Sequence, residues 1–333
     1  MKMKRGLSLL IVLLMFVALM PPLTVSAAGS VPISERYFPD PVFREFVRQY
    51  DLNKNGTLSA RELSEVKFIG VWTDKHVQDL TGIEWFTAAE FLEVGGHGLK
   101  SIDVSKNKAL KSLDVSYNEL RSLNLRHNPN LTNLTCNINY LSELDLSHNR
   151  KIEYLDCSDN YLEYLNVRSL SELKNLTVTT NFLSGLNLTG NPKLTSLSCG
   201  GNMIGSLNLT KNKQLRFINA NYNNLTAVAY GNKRAVFELD LGNNRFHRLH
   251  FDGFTELQNL NVSHNLLTEF TVTGSPKLMH VDCSENRLKG FDLGNAPDLF
   301  ELKVQGNRLA GLDARKYKNL NTLNCDNNQL TVL

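Results

Sequence analysis

The feature that most constrains the fold of this chain is one asparagine that returns every 21 residues. It occurs eleven times without an insertion or a deletion. The positions are Asn118, Asn139, Asn160, Asn181, Asn202, Asn223, Asn244, Asn265, Asn286, Asn307 and Asn328. Chance does not produce so constant a phase, so the chain is built from one repeated supersecondary unit. His97 occupies the same place one step earlier.

Each unit contains two short leucine-rich halves. The segment from Leu110 to Asn130 reads L-x-x-L-x-L-x-x-N twice, with Val115 in one leucine place. An L-x-L core alternates between inside and outside, as in a very short strand with one buried face. Neither half can bury its own leucines, so successive units must stack around a continuous core. The recurring asparagine predicts a ladder of buried amides that bond to the backbone of neighbouring coils.

This unit resembles the nested leucine-rich repeat called IRREKO, in which both halves share the leucine-rich consensus. It is similar to repeats of exported bacterial proteins, and the match covers residues 89–333. The resemblance implies a leucine-rich-repeat solenoid, a horseshoe or arc, of about 11 full repeats and a terminal half repeat. It also implies short parallel β-strands in both halves of each repeat, little helix and a small α-helical N-terminal cap.

The first residues have the pattern of a secretory signal peptide. Three basic residues precede an apolar run from Leu7 to Met20, and small residues allow cleavage after Ala27 or Ala28. Removing residues 1–27 leaves 33 basic and 33 acidic residues, which argues against nucleic acid or an anionic membrane as a partner. We therefore expect a secreted or cell-surface protein with no membrane insertion after signal cleavage. A retained signal anchor is the alternative.

Residues 28–88 follow a different pattern, which predicts a helical cap with a metal-binding loop. Asp40 and Pro41 begin one helix, and Ser59 with Glu62 forms the capping box of a second. Between them, DLNKNGTLSARE (51–62) matches the calcium-loop pattern D-x-[DN]-x-[DN]-G-x5-E in full. The expected calcium ligands are Asp51, Asn53, Asn55, Thr57, Ser59 and Glu62.

The two helices and this loop together resemble a single EF-hand and are also similar to the calcium loops of dockerins. The order of helix, loop and nested repeats resembles a recurrent arrangement in secreted Gram-positive-type proteins, and there the loop belongs to the N-terminal cap. Only two ligands carry charge and no second loop pairs with this one, so we expect weak, structural calcium binding. A capped helical turn that holds no metal is the alternative.

The five cysteines are separated by multiples of 21 residues, which predicts core positions rather than a redox or metal site. Cys136 and Cys157 lie on adjacent coils, close enough for a disulfide by Cα distance. The sequence finishes in half a repeat with no C-terminal cap. The expected alternatives there are self-association, fraying, or continuation in a longer architecture.

No catalytic motif is recognisable, so we expect no enzyme. The best binding candidate is a column just after the repeated asparagine, where four consecutive coils carry a large apolar side chain. The column consists of Tyr140, Tyr161, Phe182 and Met203. If exposed, these side chains form a ridge for a protein or glycan ligand, and if tucked under the turn they fill the core. The predicted function is recognition of such a ligand through the solenoid; the alternative is a structural spacer or assembly module of the cell envelope.

Overall fold

A computed structural model describes residues 29–331 of this protein. The predicted signal peptide, residues 1–27, lies outside this range. Within the described residues, no helix is long and apolar enough to cross a lipid bilayer.

The N-terminal part is a small helical cap. Strand β1 (Val31–Pro32) pairs antiparallel with β2 (Thr57–Leu58), and helices α1 (Pro41–Val47) and α2 (Ala60–Glu65) lie on either side of the loop before β2. Short 3₁₀ turns occupy Arg48–Tyr50 and Ile83–Trp85.

Both helices of the cap begin at the capping residues expected from the sequence. The Asp40 carboxylate accepts bonds from the N–H groups of Val42 and Phe43 at the start of α1. Ser59 and Glu62 form the reciprocal capping box of α2. A second oxygen of Asp40 accepts from Gln78 N–H at 2.8 Å, which ties the start of α1 to the segment leading into the solenoid. Asp40 therefore fixes the cap against the repeats as well as capping a helix.

The solenoid is organised around one sheet of 13 parallel strands, one per coil. Its strands are β3 (Phe68–Gly70), β4 (Phe91–Glu93), β5 (Ser112–Asp114), β6 (Asn133–Thr135), β7 (Tyr154–Asp156), β8 (Asn175–Thr177), β9 (Ser196–Ser198), β11 (Phe217–Asn219), β13 (Glu238–Asp240), β15 (Asn259–Asn261), β17 (His280–Asp282), β18 (Glu301–Lys303) and β19 (Thr322–Asn324). From β4 onward each residue pairs with the residue 21 positions later, as in Leu113 with Leu134. The protein is thus a parallel solenoid in the phase read from the sequence. Strand β3 lies inside residues 28–88, so the predicted cap contributes the first strand of the sheet.

Strands in the second halves are confined to part of the solenoid. Within residues 29–331, β10 (Ser206–Leu209) pairs with β12 (Ala227–Tyr230), and β14 (Arg248–Asp252) pairs with β16 (Glu269–Thr273). A 3₁₀ turn at Lys233–Ala235 lies between these two pairs. In the part of the chain that the structure describes, the other second halves carry no strand and only isolated bridge residues, such as Asp292, which bridges to Thr271 of β16. Many of them have Asn or Asp at the middle of the segment, residue types that are depleted in strands, whereas β12, β14 and β16 contain β-branched or aromatic residues.

The core runs the length of the solenoid between the two halves of every coil. In every strand of the 13-stranded sheet except the last, the central apolar residue and the residue two positions later are both buried, for example Leu134 and Cys136. In the cap, Phe38, Phe43 and Phe86 are fully buried and continue this core. Fully burying one such side chain is worth about 1.5–3 kcal/mol, and stacking repeats this gain at every coil.

The predicted asparagine ladder is present and buried. Asn160 is representative: its side-chain oxygen accepts from Leu141 N–H of the preceding coil at 2.9 Å, and its amide nitrogen donates to Cys136 O at 3.0 Å. His97 occupies the ladder position one coil before the first asparagine, and its Nε2 lies 2.8 Å from Val71 O. This histidine therefore also bonds to the backbone of the preceding coil, next to the cap. Each ladder residue therefore joins the backbones of consecutive coils.

Candidate functional site: an exposed aromatic ridge and a calcium-type loop

The four ridge residues occupy a position that the backbone holds rigidly. Tyr140 N–H donates to Leu120 O at 2.8 Å, and Tyr161 N–H donates to Leu141 O at 2.9 Å. Phe182 and Met203 repeat this bond to the preceding coil. A buried ladder asparagine precedes each of them and a buried leucine or isoleucine follows. Because both chain neighbours point inward, the ridge side chains point out.

The ridge is exposed and continuous. The exposed fractions of Tyr140, Tyr161, Phe182 and Met203 are 40, 50, 46 and 47%. The rings of Tyr140 and Tyr161 stack with centroids 6.0 Å apart and planes 16° apart, and those of Tyr161 and Phe182 stack at 6.0 Å and 10°. The Arg121 guanidinium lies 5.5 Å from the Tyr140 ring centre and closes one end. Of the two expected placements, the exposed ridge is the one in the structure.

Three exposed apolar side chains near the ridge share a second repeat position, two residues before the ridge position, and sequence reasoning missed them. Ile138 lies beside Tyr140, and Tyr117 and Tyr222 lie on the coils just beyond the two ends of the ridge. The backbones of Ile138, Tyr117 and Tyr222 are left-handed, with φ of 53°, 54° and 48°. Other coils place Gly201 or Gly306 there. A left-handed backbone costs a non-glycine residue about 1–2 kcal/mol. The signal that could have found them is a large residue at a repeat position that glycine also occupies.

The loop from Asp51 to Glu62 is held together by hydrogen bonds from its backbone N–H groups to its own side-chain oxygen atoms. The two carboxylate oxygens of Asp51 accept from Asn55 N–H at 3.1 Å and Gly56 N–H at 2.8 Å. Gly56 has a φ of 80°, the left-handed turn that glycine allows. Asn55 Oδ1 accepts from Thr57 N–H at 2.8 Å. The loop is thus organised at the residues that the calcium pattern names.

Glu62 joins the end of the loop to its beginning. Its Oε2 accepts from Ser59 N–H and Oγ, and its Oε1 accepts from Leu52 N–H at 2.9 Å. These bonds, those from Ser59 first, hold the pKa of Glu62 below its usual value. Asp51 and Glu62 are both buried, and every candidate ligand offers oxygen, the donor that calcium prefers. The donor set therefore suits a hard divalent cation.

The short strand β2 within the loop is paired, although the sequence has no second calcium loop. Thr57 and Leu58 of β2 pair with Pro32 and Val31 of β1, and Ile33 N–H donates to Gly56 O at 2.9 Å. Leu58 is fully buried. The N-terminal segment thus occupies the side of the loop where a second loop would otherwise pair.

Comparison with solved structures identifies proteins with a similar fold. The chain matches no protein-family model and no curated protein. Among solved structures, it is similar to the functional domain of InlJ from Listeria monocytogenes, with a TM-score of 0.81 and 26% identity over 93% of this chain and 74% of that one. It is also similar to the internalin InlF from Listeria monocytogenes, with a TM-score of 0.78 and 22% identity over 92% and 94% of the two chains. A leucine-rich-repeat protein from Leptospira interrogans gives a TM-score of 0.64 and 20% identity over 78% of each chain.

The chain is a leucine-rich-repeat solenoid. Its cysteines belong to the repeat core, as the 21-residue spacing predicted. Four are fully buried with free thiols, and burial raises the pKa of each thiol above its usual value; these are Cys136, Cys157, Cys199 and Cys283. Cys325 is free and half-buried. The disulfide considered between Cys136 and Cys157 is therefore not formed in this leucine-rich-repeat solenoid. The solved InlJ domain is described as including a cysteine ladder.

Proposed function

We propose that this leucine-rich-repeat protein is a non-enzymatic recognition protein, secreted or displayed at the cell surface, that binds a protein or glycan ligand through its solenoid. The observation that carries the proposal is the stacked, half-exposed ridge of Tyr140, Tyr161, Phe182 and Met203. Aromatic side chains on a rigid scaffold supply large contact areas at low entropic cost, and contiguous exposed apolar patches mark interaction surfaces. The likeness to InlJ and InlF supports a role in protein interaction, and a protein is the ligand class we favour.

The ridge offers a direct test with a matched control. A triple variant, Tyr140→Ala, Tyr161→Ala and Phe182→Ala, removes three stacked rings without touching a ladder residue. Tyr164 is 71% exposed on the same coil as Tyr161 but outside the ridge, so Tyr164→Ala serves as the control. In pull-downs from cell-surface and matrix preparations, we expect the triple variant to lose the ligand and the control to retain it. Equal retention by both would contradict the proposal.

A structural role as a spacer or assembly module is the second candidate, and one observation favours it. The sheet runs through 13 strands without interruption, and ion pairs tie neighbouring coils along its length, as between Lys193 and Glu172 at 2.6 Å. A rod of 12 strand intervals at about 4.8 Å each spans roughly 58 Å. This role predicts that the triple alanine variant keeps all of its associations with the cell envelope.

The loop at residues 51–62 is proposed to bind calcium weakly and to stabilise the cap. Asp51, Asn53, Asn55 and Glu62 would supply side-chain oxygens, Thr57 its carbonyl, and Ser59 a contact through water. Bound calcium would draw the two carboxylates together and so hold α1 and α2 in place. With two charged ligands, we expect a dissociation constant of roughly 10⁻⁴ to 10⁻³ M, as in extracellular modules.

Glu62→Gln tests the calcium proposal, because glutamine keeps the capping geometry and removes the charge. Glu65→Gln is the matched control: Glu65 lies on the same helix, is not an expected calcium ligand and pairs with the exposed Arg61. We expect millimolar calcium to raise the melting temperature of the natural protein and of the Glu65 variant, but not that of the Glu62 variant. The same melting temperature of the natural protein in EDTA and in calcium would contradict the proposal.

A further inference from the structure

The repeat position that forms the ridge continues for five more coils with a different chemistry. After Met203, the column becomes polar and then basic: Asn224, Arg245, Leu266, Arg287 and Arg308. Its three arginines are exposed. Within residues 29–331, none of the three forms an ion pair with a carboxylate. One corner of the solenoid is therefore apolar over four consecutive coils and carries three arginines, together with Asn224 and Leu266, over the next five.

Four exposed lysines of this solenoid are each paired with a glutamate 21 positions earlier, on the adjacent coil. Two of these pairs are Lys174 with Glu153, and Lys277 with Glu256 at 2.8 Å. The same spacing joins Lys111 to Glu90 and Lys193 to Glu172. Such exposed pairs stabilise only modestly, but like charges stacked on adjacent strands destabilise.

The corner arginines have no acidic residue at the same repeat position on an adjacent coil. The residues one coil from Arg245 are Asn224 and Leu266, and Arg287 and Arg308 are each other's neighbours. Two arginines on adjacent coils, about 4.8 Å apart along the axis, repel each other and gain nothing for folding. Lys289 is exposed two positions after Arg287 and adds to the positive charge. Glu285, two positions before Arg287, pairs with none of these cations within the described chain.

We propose that this corner docks one extended, acidic segment of a partner protein, with its apolar residues on the ridge and its carboxylates on Arg245, Arg287 and Arg308. Arginine presents a planar fork that holds a carboxylate with two parallel hydrogen bonds. From Tyr140 to Arg308 the column makes eight steps, roughly 38 Å at about 4.8 Å per step. An extended chain covers that length with about 12 residues at about 3.3 Å each. The inference rests on the proposed recognition function and adds the chemistry of the ligand.

Selection from random 12-residue peptides displayed on phage tests this chemistry without a known partner. The bait is the mature protein, and an unrelated protein controls for background. We expect the enriched peptides to combine an apolar cluster and an acidic cluster in one fixed order. The strongest peptide is then synthesised, and its affinity is measured by fluorescence anisotropy at low and high salt.

Reversing the charge of the corner arginines tests whether they bind the acidic part of the peptide. The double variant Arg287→Glu and Arg308→Glu should weaken peptide binding at least tenfold, whereas Arg126→Glu with Arg150→Glu, both exposed outside the column, should leave it unchanged. The inference is overturned by the absence of enrichment, by enriched peptides without acidic residues, or by binding that the double reversal does not change. It is also overturned if a sulfated heparin oligosaccharide binds the corner more tightly than the peptide, since the ligand class is then a glycan. Loss of ligand in the ridge variant with no effect of charge reversal would leave the proposed function standing and reject this inference alone.

Discussion

The buried amide of Asn160 provides the sharpest test of how the solenoid is held together. This side chain is 4% exposed, accepts from Leu141 N–H at 2.9 Å and donates to Cys136 O at 3.0 Å, both on the preceding coil. In Asn160→Ala the buried Leu141 N–H loses its partner, whereas Cys136 O keeps the Asn139 amide at 3.2 Å and loses one of two bonds. A buried polar group without a partner costs about 1–3 kcal/mol, and a lost hydrogen bond costs about 0.5–1.5 kcal/mol. We therefore expect the free energy of unfolding to fall by about 1.5–4.5 kcal/mol.

Urea unfolding followed by circular dichroism measures this loss, and Asn166→Ala is the matched control. Asn166 is exposed on the same coil and accepts one local bond from Arg168 N–H at 3.2 Å. Its replacement should cost less than about 1 kcal/mol. The midpoint of the Asn160 variant should shift with little change in slope. If the Asn160 variant lies within about 1 kcal/mol of the natural protein, or cannot be distinguished from the Asn166 variant, the ladder does not carry the stability assigned to it.

Three further predictions concern the cap and the core. Gly82→Ala should lower the free energy of unfolding, measured by thermal unfolding, by about 3 kcal/mol or more. The reason is that φ at Gly82 is 108° and a Cβ there would overlap the buried Phe38 ring. Unchanged stability would contradict that packing. Burial raises the pKa of the Cys157 thiol and shields it from reagents. This thiol should therefore react with Ellman's reagent at pH 8 only after the protein unfolds. Rapid labelling of the native protein would show that the core is open. Hydrogen bonds from Ser59 lower the pKa of Glu62 in the folded protein below the ordinary 4.5. The ionised Glu62 carboxylate therefore stabilises the folded state above about pH 4.5, and this stabilisation is lost as the pH falls through the pKa of Glu62 in the folded protein. Acid titration should therefore melt the cap below that pH in the natural protein, and Glu62→Gln should remove this component.

The periodic parts of the fold were predictable because their cause is local and repeated. The 21-residue phase and the L-x-L cores determine the strands and their register, and Asn160 and its equivalents determine the ladder. In the structure, Tyr161 is exposed because a buried ladder asparagine and a buried leucine lie on either side of it in the chain. The sequence alone left two placements open for the ridge because it does not show which way the chain turns after the asparagine.

The features that escaped prediction depend on pairing or on strain. Strand β1 pairs with β2 across 25 to 27 positions, and two-residue strands have no periodicity to reveal them. The left-handed backbone at Ile138 was missed because a β-branched residue disfavours it, so its place in the turn is imposed by the neighbouring coils. The residue at the centre of a second half does not by itself determine whether a strand forms, since β10 contains Asn208 where a coil without such a strand has Asn124.

Photo-crosslinking at the ridge tests the central claim, that the solenoid corner is the ligand-binding surface, most directly. A photoreactive phenylalanine is placed at position 161 in one protein and at position 164 in another, so that the probes lie on the same coil. With the ligand-containing cell-surface preparation, we predict a crosslinked product from the probe replacing Tyr161 and none above background from the probe replacing Tyr164. Crosslinking from position 164 without crosslinking from position 161 would contradict the account, because the ligand would then contact the solenoid outside the ridge.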